Sequence, residues 1–385
     1  MKRSPGTVFF ALCIAGGVLV TAYLLYARKR LQPPPSPVSI STPLPDSAPE
    51  NVDIPAAADT EVAATPATSA SSVAVDDAAQ TRPRTARRLF FRHNGVDSHY
   101  GQVGWVDVAH VNKPHFVEAL TCEVVYVSGG RGICLSADRG VFTTYMARLF
   151  DARTFKVTAS FPLKGIPSRA RVSIDGTLAA STVFVSGHGY TTLDFSTQTL
   201  LIDTRTGSML ADLEDFEVRK EGAAIKDADF NFWGVTFTAD ASRFYATLST
   251  GGQHYLIRGD IATRTADVIH ENVECPSLSP DGRHIAYKKR LHDGDRILWQ
   301  LHVLDLASDR ELALSEKRSI DDQLEWLDDR TVLYSVPSAD DGSSPSTDVW
   351  MASVDAAVAP RRFLAGAYSP AAARCRNAAD CAAAN

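Results

Sequence analysis

Cysteine is scarce: six in 385 residues, too few for a small scaffold held by disulfides in place of a core. A basic excess is also missing. Lys and Arg number 39 against 45 Asp and Glu, which excludes a dedicated nucleic-acid binder, and no nucleic-acid partner is expected. The pentapeptide G-x-S-x-G of the α/β-hydrolase nucleophile turn does not occur, so a propeller-type serine peptidase with an appended hydrolase domain is not expected. From about Leu89 onward no long stretch shows helical periodicity. What is present is 45% apolar residues and a net charge of −6, ordinary for a globular chain able to bury a sizeable core.

Composition divides the chain into four parts. Residues Val8 to Ala27 are 20 consecutive positions without a charge, which as a helix would span roughly 30 Å, a bilayer's hydrocarbon thickness. Lys2 and Arg3 precede the run, and Arg28, Lys29 and Arg30 follow it. The segment reads as an N-terminal transmembrane anchor over 1–30. A cleaved signal peptide ending near Val20-Thr21-Ala22 is the alternative. The basic flanks are balanced, so charge alone leaves orientation open. Residues 31–88 read as a disordered linker: Leu31 to Thr85 holds ten of the 20 prolines and no aromatic residue. Such a stretch buries too little apolar surface to offset its ordering entropy. A folded body over 89–370 and an Ala-rich tail over 371–385 complete the chain.

The body is read as all-β. Runs rich in Val, Thr, Phe, Tyr and Leu alternate with Asp-Gly and Ser-Pro turn signals. Two landmarks recur. One is a tight turn, clearest at Leu278 to Tyr287 (LSPDGRHIAY), with weaker copies around Asp138, Asp175, Asp240 and Asp328. Asp caps its own turn there, and Gly accepts positive φ. The other is an Asp closing a later strand before a polar turn, at Asp151, Asp203, Asp260, Asp305 and Asp355, in steps of 52, 57, 45 and 50 residues. Three of the four steps exceed the about 40–45 residues of WD40 blades, and together they suit longer propeller blades. Recurrence marks these carboxylates as turn formers, not catalytic groups. Ser136-Ala-Asp138-Arg-Gly140 has the look of a sialidase Asp box, but Thr143 stands where that box has an aromatic, and it is read as the same turn.

Leu278 to Tyr287, followed by the strand Leu301 to Leu306 (LHVLDL), resembles the repeat of TolB-like (WD40-like) β-propellers. The resemblance covers roughly residues 120 to 365 and is specific at one copy. It implies a β-propeller, six four-stranded blades by division of length, with 89–127 helping to build one of them through strands near Gly104 to Val108 and Cys122 to Tyr126. It also implies protein–protein work at the cell envelope. The N-terminal module of that family is not evident.

Cys122 and Cys134 flank Ser128 to Gly132 (SGGRG), an evident hairpin turn, and Cys375 and Cys381 share the short tail. Two local disulfides, Cys122 with Cys134 and Cys375 with Cys381, are the expectation, with four reduced thiols as the alternative. Cys275 reads as a buried small apolar residue. Asp227, Asp229 and Asn231 alternate like the start of a calcium loop, but Phe232 and Thr238 stand where an EF-hand needs Gly and Glu, so a solvated acidic loop is preferred. No metal, cofactor or catalytic set is assigned. The long acidic segment between Asp203 and Trp233 is a candidate contact loop.

The expected function is a membrane-tethered extracytoplasmic propeller binding another envelope protein. The alternatives are a propeller hydrolase and a channel that takes a small molecule or glycan, with Trp105, Trp233, Trp299, Trp326 and Trp350 as stacking platforms.

Overall fold

A computed structural model describes residues 87–186, 195–225, 229–294, 296–339 and 346–374. The apolar run Val8–Ala27, the linker and both tail cysteines, Cys375 and Cys381, lie outside the described residues. Among the described residues the regular structure is β apart from one 3-10 turn, Leu213–Asp215. No helix among them is long and apolar enough to cross a membrane.

The strands form six sheets arranged as propeller blades. The first blade holds β1 (Arg88–His93), β2 (Gln102–Asp107) and β3 (His115–Thr121). Its innermost strand comes from the far end of the body: β26 (Ala367–Ala373) pairs antiparallel with β1, Arg88 facing Ala373. The second blade is β4 (Val124–Ser128), β5 (Arg131–Arg139), β6 (Thr143–Asp151) and β7 (Val157–Leu163). The third is β8 (Ile166–Val172), β9 (Leu178–Ser186), β10 (Ser196–Asp203) and β11 (Met209–Asp212). The fourth sheet contains β12 (Glu217–Lys220), β13 (Ala223–Ala224), β14 (Asn231–Phe237), β15 (Arg243–Thr250), β16 (Gln253–Asp260) and β17 (Thr265–Glu271). The fifth is β18 (Glu274–Leu278), β19 (His284–Asp293), β20 (Arg296–Asp305) and β21 (Glu311–Ala313). The sixth is β22 (Glu325–Trp326), β23 (Thr331–Pro337), β24 (Thr347–Ser353) and β25 (Arg361–Leu364). Neighbouring inner strands β26, β4, β8, β14, β18 and β22 touch all round the ring. Closing one blade with strands from both ends of the body leaves no open inner edge to pair elsewhere.

Packing within blades follows a recurring pair. Gly104 faces Phe91, Gly132 faces Phe150 and Gly259 faces Phe244 across the second and third strands. A Cβ at any of these glycines would press into the facing ring. The ring therefore lies over bare backbone, burying aromatic area that another side chain would displace.

The Asp that closes the third strand is a turn device in every copy. Asp151 accepts from the backbone N–H of Arg153 and Thr154, Asp203 from Arg205 and Thr206, Asp260 from Ala262 and Thr263, Asp305 from Ala307 and Ser308. Asp355 accepts from Ala357. Asp107, at the end of β2, does the same for Ala109 and is a sixth copy that the repeat count omits.

The inner-hairpin turn is found at Asp175, Asp240, Asp281 and Asp328, each accepting from the N–H two residues on. Asp138 is a correction. It lies inside β5 facing Thr144, near the hairpin to β6 on the opposite face. The corresponding turn of the second blade is Ser128 to Arg131, with Gly129 at φ +55° and Gly130 at φ +74°. Two positive-φ glycines make the two-residue hairpin without a capping Asp. The segment after Asp203 is also corrected: β11 completes the third blade, and β12 adds in parallel to β17 on the outer edge of the fourth. One blade is thereby six-stranded, and the segment is largely edge structure, not a free loop.

Candidate functional site

The four innermost strands of each blade alternate in direction, so the inner-hairpin turns open on one face and the hairpins between second and third strands on the other. On the first of these faces a funnel of about 610 Å³ enters the ring. Its walls include the turns at Ser173, Ala239 and Asp281, and its floor includes Tyr126, Arg171 and Arg374.

The floor joins residues of all six blades. Glu325 of β22 is 2% exposed and forms ion pairs with Arg171 of β8, 6% exposed, and with Arg374 just beyond β26, 10% exposed. Tyr126 of β4 donates to the same carboxylate at 3.0 Å. Arg171 reaches the Val235 carbonyl of β14 at 3.4 Å and the Ser277 hydroxyl of β18 at 3.2 Å. Its guanidinium also lies 4.6 Å from the Tyr126 ring centroid. Burial pushes the Tyr126 phenol up to about 12, so it remains a neutral donor. Arg374 additionally donates to the Trp326 carbonyl, while its Nε is buried without an acceptor among the described residues.

A second buried charge cluster surrounds Lys288 of β19, which is fully buried. Its Nζ bonds Asp321, lies 3.8 Å from Glu274 and sits 4.3 Å over the Trp299 ring. Burial disfavours the ammonium charge, but Asp321 and Glu274 among its neighbours more than offset this and leave its pKa raised.

The residues singled out in the sequence disperse. Cys122 and Cys134 form a disulfide with Cα atoms 5.4 Å apart. They are not cross-strand partners: Cys134 faces Val125, and Cys122 precedes β4. The two-residue turn centres the hairpin one and a half positions beyond the midpoint of the two cysteines. Cys275 is fully buried, as its sequence context predicts. Asp229 accepts from the Thr250 hydroxyl and the Gly251 N–H, and Asn231 from the Thr197 N–H, so the first holds the turn after β15 and the second ties β14 to β10; Asp227 lies outside the described residues. Trp233 and Trp326 are core, with Trp326 donating to the Ser277 carbonyl at 2.8 Å. Trp105 is stacked on His115 at 4.1 Å and Trp350 lies beneath Arg318 at 3.9 Å. Among the histidines of the described residues, His254 and His302 are kept at about 4 by burial, and His284 stands beside the turn carboxylate Asp281 at 3.8 Å. Sequence reading missed Tyr126, Arg171, Glu325 and Arg374. For Arg171 and Glu325 the available signal is a charged residue two or three positions before an inner turn; Tyr126 and Arg374 carry no such signal.

The opposite face carries exposed apolar tips. Val141 is 95% exposed and Phe142 83%, at the hairpin between β5 and β6; Val96 and Tyr100 stand at the corresponding hairpin of the first blade. Beneath them, Arg92 stacks on Tyr100 at 4.9 Å and Arg139 bonds Glu123 at 2.9 Å.

No protein-family model matches the sequence, and no curated protein matches it. Solved structures do. TolB from Acinetobacter baumannii aligns with a TM-score of 0.52 at 16% identity, covering 76% of this chain and 68% of that one. A TolB-type protein from Agrobacterium tumefaciens aligns at 0.42 and 12% identity, covering 74% and 91%. An oligogalacturonate lyase in complex with manganese aligns at 0.43 and 10%, covering 69% and 74%. At scores below 0.5 the last two add nothing to the assignment, and at 16% identity the first is a likeness of fold. With its six blades, its first blade closed by the C-terminal strand, and its Ser-Pro-Asp-Gly inner turn, the body of this chain has the fold of a TolB-like β-propeller.

Proposed function

We propose that the protein is a membrane-tethered extracytoplasmic propeller that binds another envelope protein through the face bearing Val96, Tyr100, Val141 and Phe142. The observation that carries this is the projection of two valines and two aromatic rings from adjacent blades on one face. Exposed apolar groups of this kind, rimmed by polar residues such as Arg92, Glu123 and Arg139, mark protein contact sites. An aromatic residue on a hairpin tip held by a rigid sheet loses little conformational freedom when it docks. The Cys122–Cys134 disulfide supports an oxidising compartment, and the run Val8–Ala27 supplies the tether.

The test is site-specific photo-crosslinking in cells, with the probe at Phe142 or Tyr100 and, as a control, at Leu312 on the outer strand of the fifth blade. The expected result is one envelope protein captured from both tip positions and not from Leu312, with capture from Tyr100 lost in V141D/F142D. Equal capture from Leu312, or capture of cytoplasmic proteins, overturns the reading.

A further inference from the structure

The funnel on the other face has a charge imbalance in its lining. Three guanidinium groups, those of Arg171, Arg283 and Arg374, line it. They meet two carboxylates, Asp281 on the rim and Glu325 at the base. Glu325 is fully used: one oxygen takes Arg171 and Tyr126, the other takes Arg374. Asp281 is held by the Ser279 hydroxyl at 2.5 Å and the Arg283 N–H at 3.0 Å. Among the described residues that line or underlie the funnel, one positive charge is left over, at the end of a concave site whose protein walls concentrate its field. Arg374 is the unfinished member, with Nε buried and without an acceptor among the described residues. The volume, about 610 Å³, falls within the about 300–1,000 Å³ of ligand pockets.

We infer that this funnel is a binding site for a single carboxylate group, held by Arg374 and balanced by the surplus charge of the Arg171–Glu325–Arg374 cluster. A carboxylate matches the deficit of one negative charge and the planar donor fork of a guanidinium. The group arrives as a small carboxylic acid, as the C-terminus of a peptide or as an acidic side chain; the chemistry is shared. This site is separate from the apolar face proposed above and stands or falls without it.

The test uses the propeller in the intact chain, solubilised in detergent, and follows the arginine Nε–H signals by NMR. The Arg374 signal is identified by its disappearance in R374Q. Sodium acetate is titrated against sodium chloride at constant ionic strength, with acetamide as the neutral isostere. The expected result is a saturable shift of the Arg374 signal with acetate alone. Thermal denaturation of the parent should rise with acetate, and R374Q should weaken that response by about tenfold or more, the worth of one charge-assisted hydrogen bond. Short peptides with a free or amidated C-terminus, with and without an internal Glu, distinguish the sources. A shift shared by acetamide, or one that follows chloride equally, overturns the proposal. Should R374Q fail to fold, R283Q serves to identify the site, since Arg283 is exposed on the rim: its acetate response should weaken while its stability stays near the parent's.

Discussion

Replacing Glu325 with Gln should be among the most damaging single changes in the propeller. The carboxylate is 2% exposed and is the common counter-ion of Arg171 and Arg374. Gln keeps the volume and one acceptor but leaves two buried guanidinium groups without a negative partner. Breaking a buried pair from one side costs about 3–5 kcal/mol, because the remaining charge stays desolvated. At about 2 °C per kcal/mol for a body of this size, that is a fall in Tm of about 6–10 °C. Arg374→Gln acts in the opposite electrostatic sense. It removes the surplus cation, leaves the Arg171–Glu325 pair with its Tyr126 donor, and should cost clearly less. Differential scanning calorimetry of both variants beside the parent reads the comparison directly. Equal losses, or an E325Q melt within 2 °C of the parent's, would refute the claim that Glu325 neutralises the hub.

Three further outcomes are expected. Gly129→Ala should cost at least about 1–3 kcal/mol, since its methyl would press into the backbone of Asp175 and Gly176, whereas Gly130→Ala meets nothing and costs only about 1 kcal/mol of left-handed strain; urea midpoints separate the two. Serine in place of both Cys122 and Cys134 should lower stability by about 2–4 kcal/mol, and a dithiothreitol-treated parent should melt with the variant; a parent indifferent to reductant contradicts the bridge. His254 and His302 are held near 4 in the folded state against 6.5 when unfolded. The unfolded chain therefore takes up protons first as pH falls, so stability present above pH 6.5 is lost progressively down to about 4 and levels off below. Melts at pH 7.0, 5.5 and 4.5 should show this fall, and H254F/H302F should flatten it.

Turn chemistry made the architecture legible. A capping Asp works through its own backbone neighbours, with Gly following it only at Asp175 and Asp281, so Asp175, Asp240, Asp281 and Asp328 could be found without knowing what lies beside them. Asp138 misled for the same reason: Ser-Ala-Asp-Arg-Gly satisfies the local rule, but the neighbouring hairpin Ser128 to Arg131 claims the inner turn with two glycines. The segment after Asp203 misled because a strand such as β12 is only four residues long and becomes a strand by pairing with β17, whose partner residues lie 48 positions later (Glu217 with Thr265).

Local rules in the amino-acid sequence thus determined the all-β class, the blade period, the role of the repeat carboxylates and the burial of Cys275, since each follows from residues within one turn or strand. Tertiary structure alone decided the rest. The ring closes because β26 reaches β1 across the whole body. Arg171, Glu325 and Arg374 become one charged floor because three inner strands, up to 203 residues apart in sequence, converge on the axis. A charge in a strand looks alike whether it faces solvent or two partners, and only the position of those partners in space tells the two apart.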